Sequence, residues 1–112
     1  MKIHVDEHIS RVCPTFVGAA LSITITNSTY CPALWEEITS VLEAYRRRFT
    51  TESIKDMPSI QATRRIYKAL GKDPSRYRPS GEALVRRTQQ GKDLYQIDTA
   101  VDLINLASIT YG

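Results

Sequence analysis

The segment PSIQATRRIYKALGKDPSRYRPSGEALVRR, residues 58–87, predicts two helices joined by a turn-rich connection. In its first part, from Pro58 to Leu70, apolar residues recur at the spacing of one helix face, and Gly71 follows as a helix stop. Pro74 and Pro79 then forbid a continuous helix through the connection. The segment therefore predicts two separate helices in the middle of the chain.

The second helix of this segment is expected from about Gly81 to Gln89. Ser80 is its predicted N-cap, and Glu82 in the first turn favours the helix dipole. Arg86 and Arg87 lie near the C-terminal end, where the dipole stabilises cations whether or not they contact a ligand. The arginines alone therefore do not distinguish a binding site for a polyanion from the solvated face of an ordinary helix.

Two further helices are predicted, one on each side of this segment. Residues 32–49 have one apolar stripe at a helical period, and residues 99–111 are apolar on nearly every side. Thr99 and Asp102 have the spacing of a capping box, so the last helix is expected to begin there and to be buried. Asn105 lies in its middle and is interpreted either as tying down a neighbouring loop or as lining a pocket.

The N-terminal part of the chain predicts strands. From Val17 to Ile25 every odd position is apolar and every even position is small or hydroxylic, which is the period of a half-buried strand. Lys2 to Val5 is expected to form a short strand beside it. The predicted fold class is α+β, with N-terminal strands followed by about four helices in a single domain over residues 1–112.

Charge is distributed unevenly along the 112 residues. Residues 46–92 have 13 Lys and Arg against four acids, whereas the rest has two bases and eight acids, and the net charge is +3. This segregation predicts an anionic partner for the middle of the chain. The longest weakly polar run, Phe16 to Ile25, is far shorter than the ~20 residues that span a bilayer. With no secretory signal visible, a cytoplasmic protein without a membrane partner is expected.

Motifs for catalysis or cofactor binding are absent from the sequence. There is no phosphate-binding loop, dinucleotide-binding glycine motif or nucleophile elbow, and no Cys and His set at metal spacing. Cys13 and Cys31 are expected to be reduced and unactivated, and HVDEH, residues 4–8, lacks a third metal ligand. No catalytic residue, metal or cofactor is predicted.

The C-terminal half resembles a known family. The motifs YRPSGEALVRR, residues 77–87, and IDTAVDLINLASITYG, residues 97–112, are similar to stand-alone relatives of the B-three/B-four domain of the phenylalanyl-tRNA synthetase β subunit. That module binds tRNA and hydrolyses tyrosine wrongly attached to phenylalanine tRNA. The resemblance covers about residues 57–112. It implies the first half of a β-sandwich packed with helices, in a domain about twice this length.

The resemblance also implies site residues. A Thr-Asn pair in the family's pocket corresponds to Ile104 and Asn105, so the Asn is present and the Thr is replaced. The family's pocket histidine and glutamate would lie beyond Gly112. The arginines expected to contact RNA phosphates are Arg65, Arg78, Arg86 and Arg87.

Three functions follow as hypotheses. The first is a tRNA-binding or RNA-binding module related to the synthetase domain. The second is a stand-alone hydrolase of mischarged aminoacyl-tRNA, that is, a deacylase and not a complete ligase. The third is an interaction or amino-acid-binding domain that keeps only the scaffold. RNA is the expected partner, and either a homo-oligomer or a missing C-terminal half supplied elsewhere is a further expected partner.

Overall fold

The computed structural model describes all 112 residues and contains five α-helices and one 3₁₀ turn. The 3₁₀ turn spans Ile54–Asp56 and lies between the second and third helices. In chain order, the helices are α1 (Glu7–Val12), α2 (Pro32–Arg48), α3 (Pro58–Ala69), α4 (Ser80–Gln89) and α5 (Thr99–Tyr111).

The predicted α+β fold class is wrong, because the chain is all-helical, with 54% of its residues in helices and none in strands. Residues 17–25 keep their alternating pattern, yet they make no backbone hydrogen bond to any other segment. A strand needs a neighbour to satisfy its N–H and C=O groups, and this segment has none. Val17 and Leu21 are therefore 90% and 83% exposed. The short strand predicted at Lys2 to Val5 is absent for the same reason.

The core is built around α2. Pro32 occupies its first turn, where a missing N–H costs nothing, and Ile38 and Leu42, one turn apart, are fully buried. α4 and α5 pack against each other and against α2, while the 3₁₀ turn contacts α3 and α4. The buried apolar side chains form one cluster of Ile38, Leu42, Ile54, Ile60, Val85, Leu94, Leu106 and Ile109.

The helix ends differ in part from the predicted caps. α3 ends at Ala69, one residue before the predicted end, and Gly71 is the stop as predicted, because its φ of +81° lets Lys72 N–H donate to the Tyr67 carbonyl at 2.8 Å. α4 begins one residue before the predicted position, because Pro79 is the N-cap and Ser80 is already helical. The prediction of Ser80 as the N-cap is therefore wrong.

The start of α5 also corrects the sequence prediction. Its N-cap is Asp98, whose carboxylate accepts from Val101 N–H at 2.9 Å, so the Thr99 and Asp102 capping box is wrong. α5 is buried on one face only, because α2 and α4 pack on that face and nothing covers the other. Leu106 is 7% exposed, whereas Ile104 is 66% exposed. The prediction of a helix buried all round is wrong.

The N-terminal arm, residues 1–31, extends from the helical body and is anchored to the start of α5. The Ser28 carbonyl accepts from Thr99 N–H at 2.9 Å, and Asn27 Oδ1 accepts from Ala100 N–H at 3.0 Å. The radius of gyration is 16.0 Å, against about 13 Å for a compact domain of this length. The extended arm accounts for the difference.

Candidate nucleic-acid interface

One face of α3 carries a stripe of basic and amide side chains. Gln61, Arg64, Arg65 and Lys68 follow the i, i+3, i+4, i+7 spacing that places side chains on one side of a helix. With Lys55 of the 3₁₀ turn they line a surface hollow of about 360 Å³, called here the basic depression. Gln61 Nε2 donates to the Lys55 carbonyl at 3.1 Å and so fixes the turn against α3.

The positive charge of the basic depression is largely uncompensated. Lys55, Arg65 and Lys68 are exposed, and none of them takes part in an ion pair. Like charges three or four residues apart destabilise a helix slightly, and Arg64 and Lys68 are four apart. These side chains therefore form no ion pair within α3, and only Lys68, in the last turn, is placed where the helix dipole favours a cation.

Glu82 on α4 is buried and binds Arg64, one of the residues that line the basic depression. Its side chain is 1% exposed, and its two carboxylate oxygens accept from Arg64 Nη1 at 2.9 and 3.0 Å. Arg86, one turn later on α4, donates from Nε to Glu82 Oε1 at 3.0 Å, and its Nη2 lies 2.9 Å from the same oxygen. Arg64 Nη2 also donates to Ser75 Oγ at 3.0 Å, so its guanidinium is held on both sides.

This arrangement keeps Glu82 ionised. Burial raises the pKa of Glu82, but hydrogen bonds and charge attraction from Arg64 and Arg86 lower it by more, and the net pKa lies below its ordinary value. One carboxylate faces two guanidinium groups, so the cluster keeps one net positive charge. Arg64 therefore contributes to the positive field of the basic depression while its position is fixed.

The four arginines predicted to bind RNA lie in different surroundings. Arg65 lines the basic depression, and Arg78 is exposed in the α3–α4 connection without an ion pair. Arg86 is engaged by Glu82. Arg87 donates from Nε to the Asp93 carbonyl at 2.6 Å and lies over the Tyr95 ring at 3.8 Å from its centroid.

The structure adds four residues that the sequence prediction missed, although their spacing was visible. Gln61, Arg64 and Lys68 share the helix face of Arg65, which the i, i+3, i+4, i+7 pattern alone could have shown. No spacing in the sequence pointed to Lys55, because only the fold of the 3₁₀ turn brings it beside the residues of α3. Of the predicted arginines, only Arg65 lines the basic depression.

The residues predicted for a substrate pocket lie on α5. Ile104 is 66% exposed, and Asn105 is half-buried, with an amide that makes no hydrogen bond within the chain. A cavity of about 310 Å³ lies between α2, α3, α4 and α5, but neither residue lines it. The cavity carries the hydroxyls of Ser59, Tyr67, Ser80 and Ser108, together with apolar side chains including Ile60 and Val85.

Comparison with known proteins gives no relative: no family model, curated protein or solved structure matches the chain. The resemblance to the B-three/B-four module stays a prediction that depends on its two motifs. No three His, Cys, Asp or Glu side chains are grouped so that they could hold a metal ion. None of the helices has the length and apolar character needed to cross a membrane.

Proposed function

We propose that this chain binds RNA through the basic depression, and that tRNA is the class of RNA implied by its sequence motifs. One observation carries the proposal: four cationic side chains line a single hollow, and three of them have no acidic partner. The phosphate backbone of RNA carries repeated negative charges, which can pair with the cations that have no acidic partner in the chain.

The fixed position of Arg64 supports the proposal. A guanidinium already held by Glu82 and Ser75 loses little freedom when it meets a phosphate. Lys55, Arg65 and Lys68 are long exposed side chains that can follow a flexible backbone. If all four cations meet phosphates, the slope of log affinity against log salt is on the order of −3 to −4.

Replacement of two cations of the basic depression tests the proposal. Arg65→Ala combined with Lys68→Ala should reduce the magnitude of the salt slope by about 2, because two phosphate contacts are lost. The measurement is fluorescence anisotropy of a labelled tRNA at several salt concentrations between ~50 and ~200 mM.

The matched control removes one Arg and one Lys elsewhere. Arg47 and Lys92 are exposed, lie outside the basic depression and form no ion pair. Arg47→Ala with Lys92→Ala should keep the wild-type slope. Equal losses in both double variants would show attraction to net charge alone, and salt-independent wild-type binding would reject the proposal.

The cavity favours a second candidate function, binding of an amino-acid-like molecule. Its volume is at the lower end of the range for small-ligand sites. The side-chain hydroxyls of Ser59, Tyr67, Ser80 and Ser108 make no hydrogen bond within the chain, so they are free to bind polar groups of a ligand.

Thermal denaturation with free tyrosine or phenylalanine tests this second candidate. A ligand at about ten times its Kd should raise Tm by several degrees. Ser59→Ala with Ser108→Ala should remove the shift, whereas Asn105→Ala should keep it. No shift with either amino acid at millimolar concentration would exclude the cavity as their site, and loss only with Asn105→Ala would place the site on α5.

A further inference from the structure

A second hollow lies at the C-terminal end of α3 and has an aromatic wall. Tyr67, Leu70, Lys72 and Tyr77 line this hollow of about 350 Å³, called here the aromatic depression. Tyr77 is 48% exposed. Lys72 Nζ lies 4.8 Å from the centroid of its ring, and Arg76 Cζ lies 5.5 Å from it.

The aromatic depression follows the basic depression along the same helix. Lys68 lines the basic depression, while Tyr67 and Leu70 of the same turn line the aromatic one. A chain that lies along α3 would therefore pass from a cationic hollow to an exposed ring flanked by two cations.

The connection that carries Tyr77 is held in place. The Asp73 carbonyl accepts from Tyr77 N–H at 2.9 Å and from Arg76 N–H at 3.1 Å, and Asp73 Oδ1 accepts from Ser75 N–H at 2.9 Å. Pro74 is buried beneath the turn. The Tyr77 hydroxyl makes no hydrogen bond within the chain, and Tyr77 is not part of the buried apolar cluster, so the core does not explain why an aromatic residue is placed here.

We propose that Tyr77 stacks on an unpaired nucleobase, and that the RNA bound by this chain is single-stranded where it meets the aromatic depression. Bases of a duplex are stacked within the helix and cannot reach a side chain, whereas unpaired bases stack on aromatic rings. Lys72 and Arg76 lie over the ring in the free protein, so the base would displace a cation from the ring face, and the two side chains would then contact the neighbouring phosphates. This inference rests on the proposed function, because it specifies the RNA that the basic depression binds.

The test compares a labelled single-stranded RNA of 12 nucleotides with a duplex of the same sequence. Tyr77→Ala should weaken binding of the single strand about 10-fold, which is within the range measured for loss of one base-aromatic stack. Tyr77→Phe keeps the ring and should bind like the wild type. The salt slope should stay unchanged in both variants, because no charge is removed.

Tyr95→Ala is the matched control, since Tyr95 is 59% exposed and has Arg87 over its ring but lies outside the aromatic depression. It should bind the single strand as the wild type does. Heparin, a polyanion without bases, should bind wild type and Tyr77→Ala equally.

The outcomes separate this inference from the proposed function. Unchanged single-strand affinity in Tyr77→Ala, or equal losses for single strand and duplex, would overturn the stacking role. If Arg65→Ala with Lys68→Ala still weakened binding, RNA binding through the basic depression would stand without it. If the wild type bound neither RNA, both proposals would fail together.

Discussion

Glu82→Ala should lower the free energy of unfolding by about 3 kcal/mol, because it leaves two guanidinium groups facing a partly buried space without their common carboxylate. Removing one partner of a fully buried ion pair costs about 3–5 kcal/mol. Arg64 and Arg86 keep 25% and 27% of their side chains exposed, so they can partly recover contact with water. We therefore expect a loss at the lower end of that range.

The same cluster gives a pH dependence of stability. The folded-state pKa of Glu82 lies below its ordinary value of 4.5, so below that value the unfolded state binds protons that the folded state does not. The stabilisation by Glu82 is thus fully present above pH 4.5 and is lost as the pH falls through the lower, folded-state pKa. Glu82→Gln should show a smaller loss of stability over this acidic range than the wild type.

Urea denaturation measures both effects, with Glu43→Ala as the control. Glu43 is an exposed glutamate of α2 without an ion pair, and its loss should change stability by less than about 0.5 kcal/mol. Adding Arg64→Met and Arg86→Met to Glu82→Leu should restore much of the stability, because the stranded charges are then removed too. A Glu82→Ala variant as stable as Glu43→Ala would contradict the structural role of the cluster.

The sequence predicted four of the five helices, α2 to α5, because their signals are local, but it did not predict α1. Pro58 and Gly71 mark the start and the end of α3 within the chain itself, and both act as expected. Residues 17–25 show the limit of this reasoning, since alternation describes a strand but only a partner can form one. The prediction of an α+β fold class required a partner strand for residues 17–25, and no segment of the chain forms one.

The candidate site was predictable to a similar extent. The excess of bases in residues 46–92 pointed to the region that contains the basic depression, and the spacing of Arg65 within α3 would have identified most of its lining. The role of Glu82 was not visible, because its link to Arg64 joins residues 18 positions apart on two packed helices. Glu82 was therefore interpreted as a charge that favours the α4 dipole, although it is the centre of the ion-pair cluster.

Replacement of Asp102 should have the second large effect on stability. Its result distinguishes the hydrogen bonds of the structure from those of the predicted capping box. The Asp102 carboxylate is 1% exposed and accepts from Trp35 Nε1 at 3.0 Å and from Ile97 N–H at 3.0 Å. These bonds join α5 to α2 and to the segment before α5. Asp102→Ala should lower the free energy of unfolding by about 3 kcal/mol, because it leaves two donors without their charged acceptor.

A capping box would give a different pattern of losses. In that arrangement the Asp102 carboxylate would accept from Thr99 N–H, and Thr99→Ala would cost about 1 kcal/mol as loss of an N-cap. In the structure Thr99 N–H instead donates to the Ser28 carbonyl, and the N-cap side chain is that of Asp98. The Thr99 hydroxyl lies 2.6 Å from Ser28 Oγ, and Thr99→Ala removes only this hydrogen bond, so the variant should have little effect on the helical body and should loosen only the attachment of the N-terminal arm.

The fluorescence of Trp35 is a measurement that loss of a capping box would not affect. Trp35 is the only tryptophan of the chain, and its indole N–H reaches Asp102 across 67 residues of sequence. Asp102→Ala should change the native-state fluorescence of Trp35 as well as the denaturation midpoint, whereas Thr99→Ala should leave the fluorescence unchanged. If Thr99→Ala destabilised the chain as much as Asp102→Ala, and if Trp35 emission were the same in both variants, the carboxylate would be acting at the helix start and not between α5 and α2.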